Sequence, residues 1–193
     1  LKQVDTAEYN PMEYVKTNIL GSENVLQAAI DAGVKKVVAL STDKASSPVN
    51  LYGATKLTAD KLFIAGNHYA AGYETRFSVV RYGNVMGSRG SVIPLFAQQI
   101  RANQPLTITD PAMTRFMMTL DDAVDLVLYA FEHGNPGDIF VQKAPAATIG
   151  TLTEAVKALM NVPNHQVNTI GTRHGEKLYE ALLSREEMVA AQD

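Results

Sequence analysis

Two short motifs hold groups able to move protons: Ser41-Thr42-Asp43-Lys44, then Tyr52-Gly53-Ala54-Thr55-Lys56. On a helix, the Tyr52 phenol and the Lys56 ammonium lie one turn apart on the same face. A phenol titrates near ~10, too high for an efficient base at neutral pH. A nearby ammonium favours the phenolate, so the spacing predicts that Lys56 lowers the Tyr52 pKa and makes it a proton acceptor for a hydroxyl. Upstream, Thr42 adds a hydroxyl, Asp43 a carboxyl and Lys44 an amine. A solitary Tyr-x-x-x-Lys pair is compatible with a solvated helix face; five proton-handling side chains this close together argue for chemistry.

The surrounding pattern says what must position them. Asn10-Pro11 reads as an N-cap followed by proline at the first helical position. Met12, Val15, Ile19, Leu26, Ala29 and Ile30 recur at helical spacing, and Gly33 ends the run. Lys36-Val37-Val38-Ala39-Leu40 is a nearly continuous apolar stretch, as in a buried parallel strand. Residues 42–50 read as a polar loop, residues 52–69 as a helix, and residues 77–82 as the next strand. Alternation of helix and strand predicts βαβ units in a parallel sheet, whose active groups sit beyond the carboxyl ends of the strands. Ser41 to Lys44 follow one strand directly, and Gly83-Asn84-Val85 follow the next.

Beyond Ser91 the texture becomes irregular. Helices are predicted over 92–100, 121–133 and 151–160, with short strands at 106–109, 139–141 and 166–170. The fold class is therefore α/β: a Rossmann-type parallel sheet over residues 1–90, and a smaller α/β substrate lobe over most of residues 91–193, with an interleaved return to the sheet. Met113, Met117 and Met118 read as core filling.

Composition narrows the function classes. The chain has 193 residues with a formal net charge of −3, which argues against a general nucleic-acid binder. No apolar run reaches the ~18 residues of a spanning helix, so no membrane partner is expected. There is no cysteine, hence neither disulfide nor thiolate chemistry, compatible with a cytoplasmic setting. His68, His133, His165 and His174 lack metal-ligand spacing, so no metal is expected. A dinucleotide fold also needs a glycine-rich turn after its first strand, holding pyrophosphate on a helix N-terminus. That turn is absent, and the first residue is Leu1, so the expectation is a chain truncated at its start.

Several stretches together resemble a known family. They are Leu1-Lys2-Gln3-Val4, residues 7–11, residues 40–61, residues 81–94, Thr114-Arg115-Phe116-Met117 and Arg173-His174-Gly175-Glu176-Lys177. The chain resembles the extended short-chain dehydrogenase/reductases. Within them it is similar to the inverting UDP-N-acetylglucosamine 4,6-dehydratases of the pseudaminic acid pathway. Tyr52 is part of that likeness, because capsule-type relatives usually carry methionine there. Family chains start before Leu1 and continue past Asp193, so truncation at both ends is implied.

The resemblance implies NADP as cofactor, with NAD as the alternative, UDP-N-acetylglucosamine as substrate, and a homo-oligomer. It implies catalytic roles for Thr42, Asp43, Lys44, Tyr52 and Lys56, with the acid and base roles of Asp43 and Lys44 left open. Cofactor contacts are implied for Lys2, Tyr52, Lys56, Val85, Met86, Gly87, Ser88 and Arg89. Substrate contacts are implied for Ser41, Thr42, Tyr52, Asn84, Val92, Pro94, Arg115 and Arg173. Arg173 suits a diphosphate clamp, since guanidinium binds phosphate oxygens in pairs; an ion pair with Glu176 is the plainer reading. Two alternatives stand beside this one: another nucleotide-sugar 4,6-dehydratase or epimerase, or a non-catalytic binding or oligomerisation fragment.

Overall fold

The computed structural model describes residues 1–193. Its helices are α1 (Val4–Tyr9), α2 (Pro11–Tyr14), α3 (Gly21–Asp31), α4 (Leu51–Tyr69), α5 (Val92–Arg101), α6 (Leu120–His133), α7 (Ile149–Leu159) and α8 (Arg185–Ala190). Its strands are β1 (Lys36–Thr42), β2 (Arg76–Tyr82), β3 (Asn84–Val85), β4 (Leu106–Ile108), β5 (Thr114–Met118), β6 (Ile139–Val141), β7 (Ala146–Thr148) and β8 (Val167–Thr169). The chain divides into two compact units. The first holds Leu1–Tyr82, Asp121–Lys143 and Ala181–Asp193; the second holds Gly83–Leu120 and Ala144–Glu180.

The first unit is built on a parallel sheet in the order β1-β2-β6. β1 and β2 pair along their whole length, from Lys36 opposite Arg76 to Thr42 opposite Tyr82. Parallel neighbours need a crossover, and α4 supplies it. Leu26, Ala29 and Ile30 of α3, Phe63 of α4, Ala39 of β1, and Phe77 and Val79 of β2 form one core. Phe77 and Val79 are wholly buried, each such burial contributing about 1.5–3 kcal/mol. α3 ends as predicted: Gly33 has φ +65, its N–H donates to Ile30 O, and the Val34 N–H reaches Ala29 O. That pair of bonds closes the last turn around a residue in the left-handed region, where glycine has no Cβ to clash.

The helix expected from Pro11 to Gly33 is not continuous. α2 gives way to a π-helical segment, Val15–Leu20, before α3 begins. Apolar spacing alone does not register this widening, because one wide turn leaves later apolar residues in the same stripe. Asn10 also departs from its expected role as a side-chain cap: its Nδ2 donates to Thr6 O of α1 at 3.0 Å.

The second unit contains two small sheets, β3-β5-β7 and β4-β8. β3 pairs parallel with β5, β5 antiparallel with β7, and β4 parallel with β8. Phe96, Leu106, Ile108, Met113, Ile149 and Val156 form its core. Met113 and Met118 are buried, as core filling requires. Strands β3, β5 and β7 were not expected; two or three residues are too short for period-2 alternation, and β5 is rich in methionine rather than branched residues. α8 was missed as well, although Ser184 and Glu187 form a complete capping box at its start.

Candidate active site

β1 runs two residues further than its apolar stretch, so Ser41 and Thr42 are the last residues of the strand, not a loop. A 3-10 turn, Asp43–Ala45, follows at once, with Thr42 as its N-cap. This turn holds the proton-handling groups tightly. Thr42 Oγ1 donates to Asp43 Oδ1 at 3.0 Å, and Lys44 Nζ donates to the same oxygen at 3.1 Å. Asp43 has no exposed surface, and its second oxygen, Oδ2, has no hydrogen-bond partner. A buried carboxylate oxygen left unpaired is costly. A carboxyl so placed suits proton exchange with a ligand.

Helix α4 starts beyond this turn, with the Asn50 side chain accepting from Gly53 N at 2.7 Å. Its first turn presses on the 3-10 turn: a Cβ on Gly53 would overlap the Lys44 carbonyl oxygen and touch Pro48 Cβ at 3.0 Å. Glycine at 53 is therefore what lets Tyr52 approach Thr42 and Asp43. The Tyr52 ring is buried with Ala7 and Tyr14. Its phenol shares a hydrogen bond with the Thr42 side chain and feels the Asp43 carboxylate.

The electrostatics depart from the sequence expectation. Burial pushes the Tyr52 pKa up to about 12; the Thr42 bond opposes this, and the Asp43, Tyr14 and Asp60 charges add to it. Lys56 does not offset the rise. Its Nζ donates to the Leu40 carbonyl at 2.6 Å, and burial lowers its own pKa, with Asp60 pulling the other way. The ammonium is anchored to β1 rather than aimed at the phenol. In the chain alone, Tyr52 is protonated at neutral pH.

Behind these groups lies a network that motif spacing did not single out. Ser41 Oγ donates to Asp60 Oδ2 at 2.7 Å, so its proton is committed away from any sugar. Arg81, wholly buried in β2, donates to the same Asp60 oxygen at 3.4 Å. It also donates to Glu187 Oε2 at 2.8 Å and Oε1 at 3.0 Å, and to Leu182 O at 2.9 Å. Near Tyr52, the buried Asn18 of the π-helical segment donates to Thr55 Oγ1 at 3.1 Å, and Thr55 donates to Tyr52 O at 2.9 Å. The sequence signals for Asp60 and Glu187 were present: one more step of four residues after Tyr52 and Lys56, and the Ser184 capping box.

The remaining candidates are placed as follows. Lys2 is exposed ahead of α1 in the first unit. In the second unit, Asn84 and Val85 form β3, and Asn84 Oδ1 is buried without a partner. Met86, Gly87 and Arg89 are exposed and Ser88 half-buried in the following turn, while Val92 and Pro94 lie half-buried on α5. Arg115 is buried, donating to Thr114 O at 2.7 Å and to Met113 Sδ at 2.8 Å. Those two bonds hold the guanidinium within the core of the unit. Arg173 is exposed, and its backbone N–H donates to Glu176 Oε2 at 3.0 Å, in place of the side-chain ion pair considered above. No group of three or more His, Cys, Asp or Glu side chains is arranged to hold a metal ion, and no helix is long and apolar enough to cross a membrane.

Comparison with known proteins matches residues 1–193 to the family described as polysaccharide biosynthesis protein. A protein of Rickettsia rickettsii (strain Sheila Smith) named UDP-glucose 4-epimerase is 58% identical over the whole chain, which spans 56% of that relative. The solved structure of Pen from Bacillus thuringiensis is 46% identical with a TM-score of 0.94, over 98% of this chain and 60% of that one. DesIV, a dTDP-glucose 4,6-dehydratase from Streptomyces venezuelae solved with NAD and TYD bound, is 25% identical with a TM-score of 0.85, over 94% of this chain and 62% of that one. The chain thus spans little more than half the length of the relatives it matches. Its α/β architecture is the Rossmann-like fold of these epimerase and dehydratase neighbours.

Proposed function

On the premise that the chain belongs to the polysaccharide biosynthesis protein family, we propose that the protein catalyses 4,6-dehydration of UDP-N-acetylglucosamine with inversion at C5, using NADP or NAD. The supporting observation is the Thr42–Asp43–Lys44 turn: a fully buried carboxyl with one oxygen unpaired, an amine 3.1 Å from the other oxygen, and the Tyr52 phenol hydrogen-bonded to the same threonine. Oxidation at C4 needs one base, whereas loss of water across C5 and C6 needs a second base and an acid. This turn supplies that surplus.

The first turns of α4 fit a nicotinamide cofactor on one count, the buried Tyr52 with Lys56 one turn away and anchored to Leu40 of β1. Tyr52, Lys56, Lys2 and the 85–89 segment are the proposed cofactor contacts; the chain has no glycine-rich pyrophosphate turn. When bound, the oxidised nicotinamide supplies a reversible hydride acceptor for C4 and a positive charge that favours the Tyr52 phenolate. Tyr52 removes the proton of the 4-hydroxyl while Thr42 holds that oxygen. The ketone formed at C4 acidifies the C5 hydrogen, which Lys44 removes. Asp43, protonated for the step, donates to the 6-hydroxyl as the C6–O bond breaks, so the hydroxyl leaves as water with the Asp43 proton while the C5 proton stays on Lys44. With the hydride that the bound cofactor would have taken from C4 returned to C6, protonation of C5 from the opposite face completes the 6-methyl group and inverts that centre. Asn84, Val92, Pro94 and Arg173 are proposed to contact the nucleotide sugar, with Ser41 acting through its lone pairs. A homo-oligomer and a cytoplasmic location complete the reading.

A second reading, 4-epimerisation of a UDP-sugar, draws support from the name of the 58% identical relative; it uses Tyr52, Thr42 and Lys56 alone. NMR of the product formed by the full-length protein in deuterium oxide separates the two. A 6-methyl group, a 4-ketone and inverted, deuterated C5 support dehydration. A product that differs from substrate only at C4, with hydrogen retained at C5, selects the epimerase instead.

A further inference from the structure

Four side chains from four separate stretches meet in the first unit, and only one of them, Ser41, is among the proposed sugar contacts. Ser41 closes β1, Asp60 lies on α4, Arg81 lies in β2, and Glu187 lies on α8. Arg81 is entirely buried and Asp60 nearly so. Removing such charges from water is unfavourable unless the pairing is close and geometrically good. Here it is close: Arg81 grips both Glu187 oxygens at 2.8 and 3.0 Å and reaches Asp60 Oδ2 at 3.4 Å. The Ser41 hydroxyl completes Asp60 at 2.7 Å.

The placement of this cluster relates it to the active groups. Asp60 follows Tyr52 and Lys56 at steps of four, so all three share one face of α4. Ser41 directly precedes Thr42, whose hydroxyl serves both Asp43 and Tyr52. Glu187 is fixed in turn, because its carboxylate also accepts from Ser184 N at 2.7 Å in the capping box of α8.

We propose that Asp60 is a positioning residue: held by Arg81, and through Arg81 by Glu187 of α8, it fixes the Ser41 hydroxyl and so sets the Thr42–Asp43–Lys44 turn against Tyr52. Helix α8 is then part of the support of the active site, acting through the Glu187–Arg81 pair. This rests on the reading of Thr42, Asp43 and Tyr52 as the reacting set.

The test uses the full-length protein and three variants, Asp60→Asn, Asp60→Ala and Glu187→Gln. Asparagine keeps an acceptor for Ser41 and loses the charge; alanine removes both. Amide hydrogen exchange, measured without cofactor or sugar, is expected to quicken about tenfold in residues 41–46 for Asp60→Ala and Glu187→Gln, with Asp60→Asn intermediate and β6 unchanged. With UDP-N-acetylglucosamine, kcat is expected to fall by up to about 100-fold for Asp60→Ala and to be partly rescued in Asp60→Asn, with KM nearly constant. Unchanged exchange in residues 41–46 overturns the proposal whatever the substrate proves to be. Faster exchange with undiminished kcat overturns it too. If the wild-type protein does not turn over this sugar, the functional reading fails while the exchange result still decides the clamp. Should Asp60→Ala not fold, Glu187→Gln at the partly exposed rim carries the same measurements.

Discussion

Lys44 Nζ stands 3.1 Å from Asp43 Oδ1, while the other Asp43 oxygen is buried without any partner. One residue therefore holds its neighbour by a single oxygen and leaves the second available. This asymmetry separates the turn from an ordinary ion pair, in which both carboxylate oxygens would be solvated or bonded. It also predicts which step each residue governs. Asp43→Asn retains shape but loses the transferable proton, so dehydration should slow by ~10²–10⁴ while transient oxidation at C4 persists. Lys44→Ala should abolish exchange of the C5 hydrogen with solvent deuterium. Unaltered exchange in Lys44→Ala removes that residue from the role of base.

Tyr52→Phe should suppress C4 oxidation itself, with a loss of ~10²–10⁴ in kcat. No reduced cofactor should accumulate in a single-turnover absorbance measurement, even with the C5 and C6 machinery intact. Because burial raises the Tyr52 pKa to about 12 in the chain alone, an ultraviolet titration without cofactor should place this phenol among the last to ionise. Ionisation near neutral pH under those conditions contradicts the packing described for its ring.

Gly53→Ala sets a Cβ against the Lys44 carbonyl and Pro48. Both obstacles are main chain or rigid ring, so neither rotates away. The variant should lose about 1–3 kcal/mol of stability, read as a shift in the urea midpoint, and its turnover should fall because Lys44 is displaced. A stable, fully active Gly53→Ala protein means that α4 and the 3-10 turn are less closely apposed than described.

The buried cluster predicts two opposed pH dependences. Burial alone would raise the Glu187 pKa, but bonds from Arg81 and the Ser184 backbone bring it down to about 2, against an unfolded value of 4.5. Its stabilisation is therefore complete above the unfolded value and is lost as pH falls toward the folded one. Asp60 behaves in the opposite sense, since burial outweighs Ser41, Arg81 and Lys56 and holds its pKa above the usual carboxylate range. Glu187→Gln should be less stable at neutral pH and flatten the loss of stability between about pH 5 and 2. Asp60→Asn should steepen that acid loss, because it removes the buried carboxyl whose raised pKa favours the folded state on protonation. Denaturant melts at several pH values decide both; parallel curves for Glu187→Gln and wild type would contradict the ion pair.

The principal sheet of the fold was legible because it is written in local patterns. The β1 apolar stretch, the helix after it, β2, and the Gly33 stop each rest on residues within a few positions of one another. So do the groups of the site, since Ser41 to Lys44 lie on one strand end and turn, and Tyr52 to Lys56 on one helical turn. Short strands such as β3 and β7 were not legible, because two or three residues take their conformation from partners far along the chain.

Residue type and spacing told which proton-handling groups the chain offers and that two of them share a helix face. Their charge state was another matter. The spacing of Tyr52 and Lys56 predicted a more acidic phenol; the fold raises it instead, because solvation and the Leu40 carbonyl that captures the ammonium are not properties of spacing. Likewise Ser41, Asp60, Arg81 and Glu187 become one cluster only when β1, α4, β2 and α8 are packed together. Covalent neighbourhood is fixed in the chain, whereas burial and long-range pairing exist only after folding.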